Sequence, residues 1–156
     1  MAMAIYSIPR MTRDIDLVVE TTLEDVNKIV SLFSDDCYID QDSVREAVHT
    51  HGMFNIIHNE WVIKADFIIR KDEDYRKEEF SRRQKIDIEN ITISVVTAED
   101  LILSKLVWGE GSRSDLQFHD VRQMISTVPG LDWKYMKKWA TSLGIEDILR
   151  KAKEDE

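Results

Sequence analysis

The sequence predicts an α+β fold: a mixed β-sheet flanked by helices, followed by a helical C-terminal half. Three observations predict it. Short apolar runs with a period of two recur up to residue 96, separated by helical stretches rather than by one regular crossover. From Thr97 onward the apolar period switches to that of a helix and stays there. No repeat, low-complexity segment or linker interrupts the 156 residues, which fits a single domain of 1–156, with a sheet-containing part over about 1–96 and a helical part over about 97–156.

The first predicted strand is Asp14-Ile15-Asp16-Leu17-Val18-Val19, whose alternation sends Ile15, Leu17 and Val19 to one face and Asp14 and Asp16 to the other. Thr21 or Thr22 can cap the helix that follows, and Leu23, Val26, Ile29, Val30 and Phe33 form its apolar stripe. Tyr38-Ile39-Asp40 reads as a short extended piece, and Asp42 as the cap of a second helix running to about His49. Gly52 then releases the chain into Met53–Ile57, expected to pair with Trp61–Ile69 across a tight His58-Asn59-Glu60 turn.

Residues 70–85 form the polar middle, with Arg82 and Arg83 the candidates for a phosphate path and a solvated loop and helix the plainer alternative. A hairpin over Gln84–Ile88 and Ile91–Val96 turns at Glu89-Asn90. Thr97 with Asp100 fits a capping box opening the next helix, and the Gly109–Gly111 pair is expected to break it. Ser112 or Ser114 restarts a helix, Val128-Pro129-Gly130 stops it, and Leu131-Asp132-Trp133 begins another that Gly144 ends. Trp108, Trp133 and Trp139 are expected in the core.

Net charge is −9, which argues against a general nucleic-acid coat without excluding a local basic groove. The single cysteine, Cys37, can build no internal disulfide framework, and no apolar run approaches a membrane span, so a cytoplasmic protein is expected. His49, His51 and His58 complete no zinc motif, and no G-x-S-x-G elbow is present.

Chemistry concentrates in the carboxylates. Asp14 and Asp16 share a strand face backed by apolar residues, and Asp66 sits in a second apolar strand. An isolated D-x-D also occurs on solvated edge strands. Two acids on one strand and a third on another are, equally, what a hard divalent cation such as Mg²⁺ takes for in-line nucleotidyl transfer.

Arg10-Met11-Thr12-Arg13-Asp14-Ile15-Asp16-Leu17 resembles the R-x-T-x-D-I-D-L signature of the small bacterial nucleotidyltransferase-fold proteins. These belong to the DNA polymerase beta-like superfamily and include abortive-infection type toxins. The resemblance extends through Asp66 and Ala98–Leu106. It implies a nucleotidyltransferase-like sheet, Asp14, Asp16 and Asp66 as metal ligands and catalytic acids, and Mg²⁺ or Mn²⁺ as cofactor. It also implies an NTP as substrate, with Arg10, Thr12 and Arg13 near its phosphates. The acceptor hydroxyl belongs to RNA, a protein or a small molecule, and an antitoxin or a second copy is an expected partner. An inactive family member acting as a partner-binding or nucleotide-binding module is the alternative. In the family a Gly-Gly or Gly-Ser turn precedes the R-x-T segment and holds phosphate. Here Met1–Ser7 stand before it, which predicts that they occupy the helix after such a turn, that this form binds NTP poorly, and that its exposed sheet edge is covered by another subunit or another part of the chain.

Two charged residues fall inside apolar arcs of consecutive predicted helices, Lys105 beside Leu101, Ile102 and Leu106, and Asp120 between Leu116 and Met124. Unpaired buried charge is costly, so the two are expected to pair. Either the pair is structural, or Lys105 reaches nucleotide phosphates, the role that a lysine and a following aspartate in the related toxins imply for Lys105 and Asp120.

Overall fold

The computed structural model describes Tyr6, residues 14–112 and residues 115–154, and for Asp14 and residues 110–112 the backbone alone. It is α+β, with a four-stranded mixed sheet, a two-stranded sheet and a helical C-terminal half. The described chain divides into two compact units, residues 14–80, and Tyr6 with residues 81–154. The expectations for Met1–Ser7, Tyr6 aside, and for Arg10, Thr12 and Arg13 lie outside the described residues; Tyr6 itself is helical.

The first unit runs β1 (Asp14–Val19), a 3-10 turn (Leu23–Asp25), α1 (Val26–Phe33), β2 (Cys37–Tyr38), α2 (Gln41–Thr50), β3 (Met53–His58), β4 (Lys64–Ile69) and α3 (Asp74–Ser81), whose last residue belongs to the second unit. The sheet order is β1-β4-β3-β2, with β1 parallel to β4 and the other pairs antiparallel. Alternation gives this sheet one apolar face. Phe54 and Ile56 of β3 and Ile69 of β4 are buried there with Val26 of α1 and Val44, Ala47 and Val48 of α2. Phe67 stacks on Phe54 at 5.0 Å and meets Phe33 edge-on at 5.8 Å. With the helices on that face, the acids of β1 and β4 are left to the other.

Two local details differ from the sequence reading. The cap of α2 is Asp40, whose carboxylate accepts from the Ser43 backbone N–H at 2.8 Å. Asp42 instead lies in the first helical turn, where a carboxylate opposes the positive helix end. The β3–β4 connection is also longer than a tight turn, because β4 begins at Lys64. The Val62 N–H donates to the His58 carbonyl at 2.9 Å, and Val62 adopts φ 52°. This hydrogen-bonded turn takes up Trp61 and Val62, which the sequence alone reads as strand, and the Ile63 carbonyl accepts from the His58 N–H at 2.9 Å before β4 begins.

The second unit opens with the hairpin β5 (Gln84–Ile88) and β6 (Ile91–Val95), turning at Glu89 with φ 54°. Four helices follow: α4 (Ala98–Ser112), α5 (Asp115–Thr127), α6 (Trp133–Leu143) and α7 (Glu146–Glu154). Their shared interior holds Ile102, Leu103, Leu106, Val121, Met124, Met136, Ala140, Leu149 and Ala152, all buried. Helix α4 continues through Gly109 and Gly111 instead of breaking there. A glycine lowers helix propensity by about 1 kcal/mol but still permits the helical backbone. At Gly109 the missing side chain faces Gln117 of α5: an added Cβ would lie 3.5 Å from the Gln117 Cβ. Trp108 is another departure, standing 56% exposed rather than in the core.

Candidate metal centre

The carboxylate site is set by strand register. Asp16 of β1 is the direct partner of Asp66 of β4, which in turn faces Asn55 of β3. Cross-strand partners leave a sheet on the same side, so three oxygen-bearing side chains form one row across three strands. The row lies on the face opposite Phe54, Ile56 and Ile69, because those residues alternate with Asn55 and Asp66. Asp14 stands at the head of β1, partnered with Lys64; its side chain is outside the described residues.

The acids differ in surroundings. Asp16 is exposed on the end strand, whereas Asp66, on an inner strand, is only 8% exposed. Asp66 Oδ2 lies 2.9 Å from Lys64 Nζ. Its other oxygen, Oδ1, is buried without a hydrogen-bond partner. An orphaned, buried carboxylate oxygen has lost water and gained nothing in return, at a cost of about 1–3 kcal/mol. A hard cation is the partner that would satisfy it, and an all-oxygen set of Asp16, Asp66 and Asn55 suits Mg²⁺ or Mn²⁺. These residues therefore fit the metal that the sequence resemblance implies. Among the described residues, which leave out the Asp14 side chain, no three His, Cys, Asp or Glu groups gather as a metal cluster.

Sequence reasoning overlooked Lys64 and Asn55. The signal for Lys64 was present, since residues two apart on a strand share a face, and Lys64 precedes Asp66 by that spacing. Asn55 becomes visible only once the β3–β4 register is known.

Lys105 and Arg82 of the second unit are engaged locally. Lys105 Nζ lies 2.8 Å from Asp120 Oδ2 and donates to Gln117 Oε1 at 2.9 Å, with Asp120 nearly fully buried. The expected pairing is present. Arg82 donates from Nε to Asp100 Oδ2 at 3.1 Å, and its guanidinium lies 3.8 Å over the Tyr135 ring. Asp100, fully buried, also accepts from the Thr97 hydroxyl at 2.7 Å and from the Tyr135 hydroxyl at 2.6 Å. Thr97 thus caps the helix as expected, its hydroxyl also accepting from the Asp100 backbone N–H at 3.3 Å, and Arg82 and Tyr135 extend the network around Asp100. Burial works against the Arg82 charge, but the hydrogen bond and negative charge of Asp100 outweigh it and hold the guanidinium pKa above its ordinary value. Arg82 is consequently a structural counter-ion to Asp100 in this unit, and Arg83 is exposed.

Among the described residues no helix is long and apolar enough to cross a membrane. In comparison with known proteins, no family model matches the chain and no curated protein matches it.

Proposed function

We propose that the chain is a Mg²⁺- or Mn²⁺-dependent nucleotidyltransferase that moves NMP from an NTP to a hydroxyl acceptor. The observation that carries this reading is the register pairing of Asp16 with Asp66, together with the buried and unpartnered Oδ1 of Asp66. A bound divalent cation would supply Lewis-acid neutralisation of the triphosphate. Asp16, open to solvent, is placed to share a cation with a phosphate arriving from outside. Asp66 is held rigidly on an inner strand, which suits a carboxylate that orients the acceptor hydroxyl and receives its proton. Sequence resemblance assigns Asp14 beside Asp16 as a further ligand.

The test is Mn²⁺ titration followed by electron paramagnetic resonance, together with product analysis from α-labelled NTP. Asp16→Ala and Asp66→Ala should each abolish Mn²⁺ binding and the transfer of labelled NMP. Release of free NMP without acceptor labelling would indicate hydrolysis and overturn the transferase assignment.

A second reading has its own support. The Lys64–Asp66 ion pair gives the buried acid a cation supplied by the chain, as an inactive, partner-binding or nucleotide-binding module requires. Absence of Mn²⁺ binding up to millimolar concentration would favour that module.

A further inference from the structure

We propose that Lys64 is a built-in competitor for the cation, an ammonium group that must leave Asp66 before a divalent ion is bound there. This rests on the metal-dependent reading of the Asp16–Asp66 row.

The two partners of the ion pair are unequally held. The Asp66 side chain is 11% exposed, whereas that of Lys64 is 39% exposed. The carboxylate is fixed by its place on an inner strand, but the lysine carries its charge on a flexible four-carbon stem. The lysine is thus the more solvent-accessible partner of the two.

The contact is also incomplete. The ammonium meets Oδ2 at 2.9 Å and leaves Oδ1 buried without a partner. A point charge on one oxygen offsets the buried negative charge and does not fill the carboxylate's accepting capacity. A divalent cation carries twice the charge and takes several oxygen ligands, so it has more to gain at this position. Register explains why Lys64 occupies it: two residues before Asp66 on β4, it projects from the same face, beside Asp14 of β1. The Lys64 amine therefore holds Oδ2, and its positive charge opposes a cation approaching the unpartnered Oδ1 of the same carboxylate. Metal affinity is lowered by the fraction of molecules in which Lys64 is docked, and half-saturation moves to a higher cation concentration.

The experiment is Mn²⁺ binding to the full chain, measured by electron paramagnetic resonance, for the wild type, Lys64→Met, Lys64→Arg, Asp16→Asn and Asp66→Asn. Lys64→Met should bind Mn²⁺ about tenfold more tightly, equivalent to roughly 1.4 kcal/mol, and Lys64→Arg should resemble the wild type. Equal or weaker binding by Lys64→Met, with binding still lost in Asp16→Asn and Asp66→Asn, overturns the competition and leaves the metal site standing. Binding that survives in both aspartate variants, or that is absent throughout, overturns the site and the competition together. A measurement independent of folding of the methionine variant uses ¹³C-dimethylated lysines, with the Lys64 signal assigned by its loss in Lys64→Arg. Addition of Mg²⁺ should move that signal towards the position of a solvated lysine. A signal that stays fixed while the site saturates also overturns the proposal.

Discussion

Lys105 Nζ and Asp120 Oδ2 stand 2.8 Å apart between consecutive helices, with their side chains 12% and 4% exposed. Removing one partner of a pair so placed leaves the other without its counter-ion. Lys105→Met should therefore destabilise the protein by about 3–5 kcal/mol. The double variant Lys105→Met/Asp120→Leu should recover most of that loss, because an apolar pair of similar volume needs no counter-ion. Urea denaturation of the two single variants and the double variant measures the coupling. Near-additive losses would show that the charges do not depend on one another.

Asp100 should matter more than Tyr135, although both belong to one network. Asp100→Ala leaves Arg82 and the Thr97 and Tyr135 hydroxyls without their common acceptor, and is expected to cost about 3–5 kcal/mol. Tyr135→Phe deletes one hydrogen bond to a carboxylate, about 2 kcal/mol, and keeps the ring beneath the Arg82 guanidinium. Thermal melts that ranked the two variants equally would mean that Asp100 contributes little beyond the hydrogen bond it accepts from the Tyr135 hydroxyl.

Two glycines should respond to alanine with opposite signs. Gly109 is helical, and an added Cβ would make only an ordinary contact at 3.5 Å. Gly109→Ala should stabilise the chain by about 0.5–1 kcal/mol through helix propensity. Gly144 closes α6 at φ 75°, its N–H donating to the Ala140 and Thr141 carbonyls. Alanine there should cost about 1 kcal/mol, and Gly144→Asn less, since asparagine tolerates the left-handed region. Chemical denaturation of the three variants tests the order.

Stability should fall at both extremes of pH for identifiable reasons. Burial, with the charges of Glu99 and Asp100 adding to it, raises the Tyr6 phenol above its ordinary 10.0. The unfolded chain then loses this proton first, so the contribution is complete below pH 10.0 and disappears as pH rises through the folded value. Tyr6→Phe should flatten that alkaline limb. Hydrogen bonds from Ser43 hold Asp40 below its ordinary 3.8, and bonds from Thr22 do the same for Asp25. Their contribution is present above pH 3.8 and is lost as pH falls through the lower folded values. Asp25→Asn and Asp40→Asn should shallow the acid limb, read as melting temperature against pH.

Periodicity made the fold class legible, because β3 alternates exposed Met53 and Asn55 with buried Phe54 and Ile56, and α1 turns Val26, Ile29, Val30 and Phe33 to the core. The Lys105–Asp120 pair was legible for the same reason: two charges inside apolar arcs need each other. Turn chemistry was less legible. Nothing in Trp61-Val62-Ile63 announces a turn, since β-branched and aromatic residues favour strands and rarely take φ 52°. Gly109 was misread because proximity to a facing helix, not backbone freedom, gives that glycine its setting. At the carboxylate row, the spacing of Asp14 and Asp16 showed a shared strand face. The pairing of Asp16 with Asp66 depended on which strands become neighbours, which no local pattern encodes.

The carboxylate row also has a history within folding. Asp16 and Asp66 are fifty residues apart in the chain yet adjacent in the sheet. The antiparallel β3–β4 pair can close over a short connection, but β1 must join β4 from a long loop, the slow and entropically expensive kind of contact. Before that event the chain holds Asp66, Asn55 and Lys64 on one hairpin, with no Asp16 beside them. Asp66 thus has its own lysine beside it before it has its partner acid, and under the proposed metal-dependent reading Lys64 would oppose metal capture while β1 is still undocked.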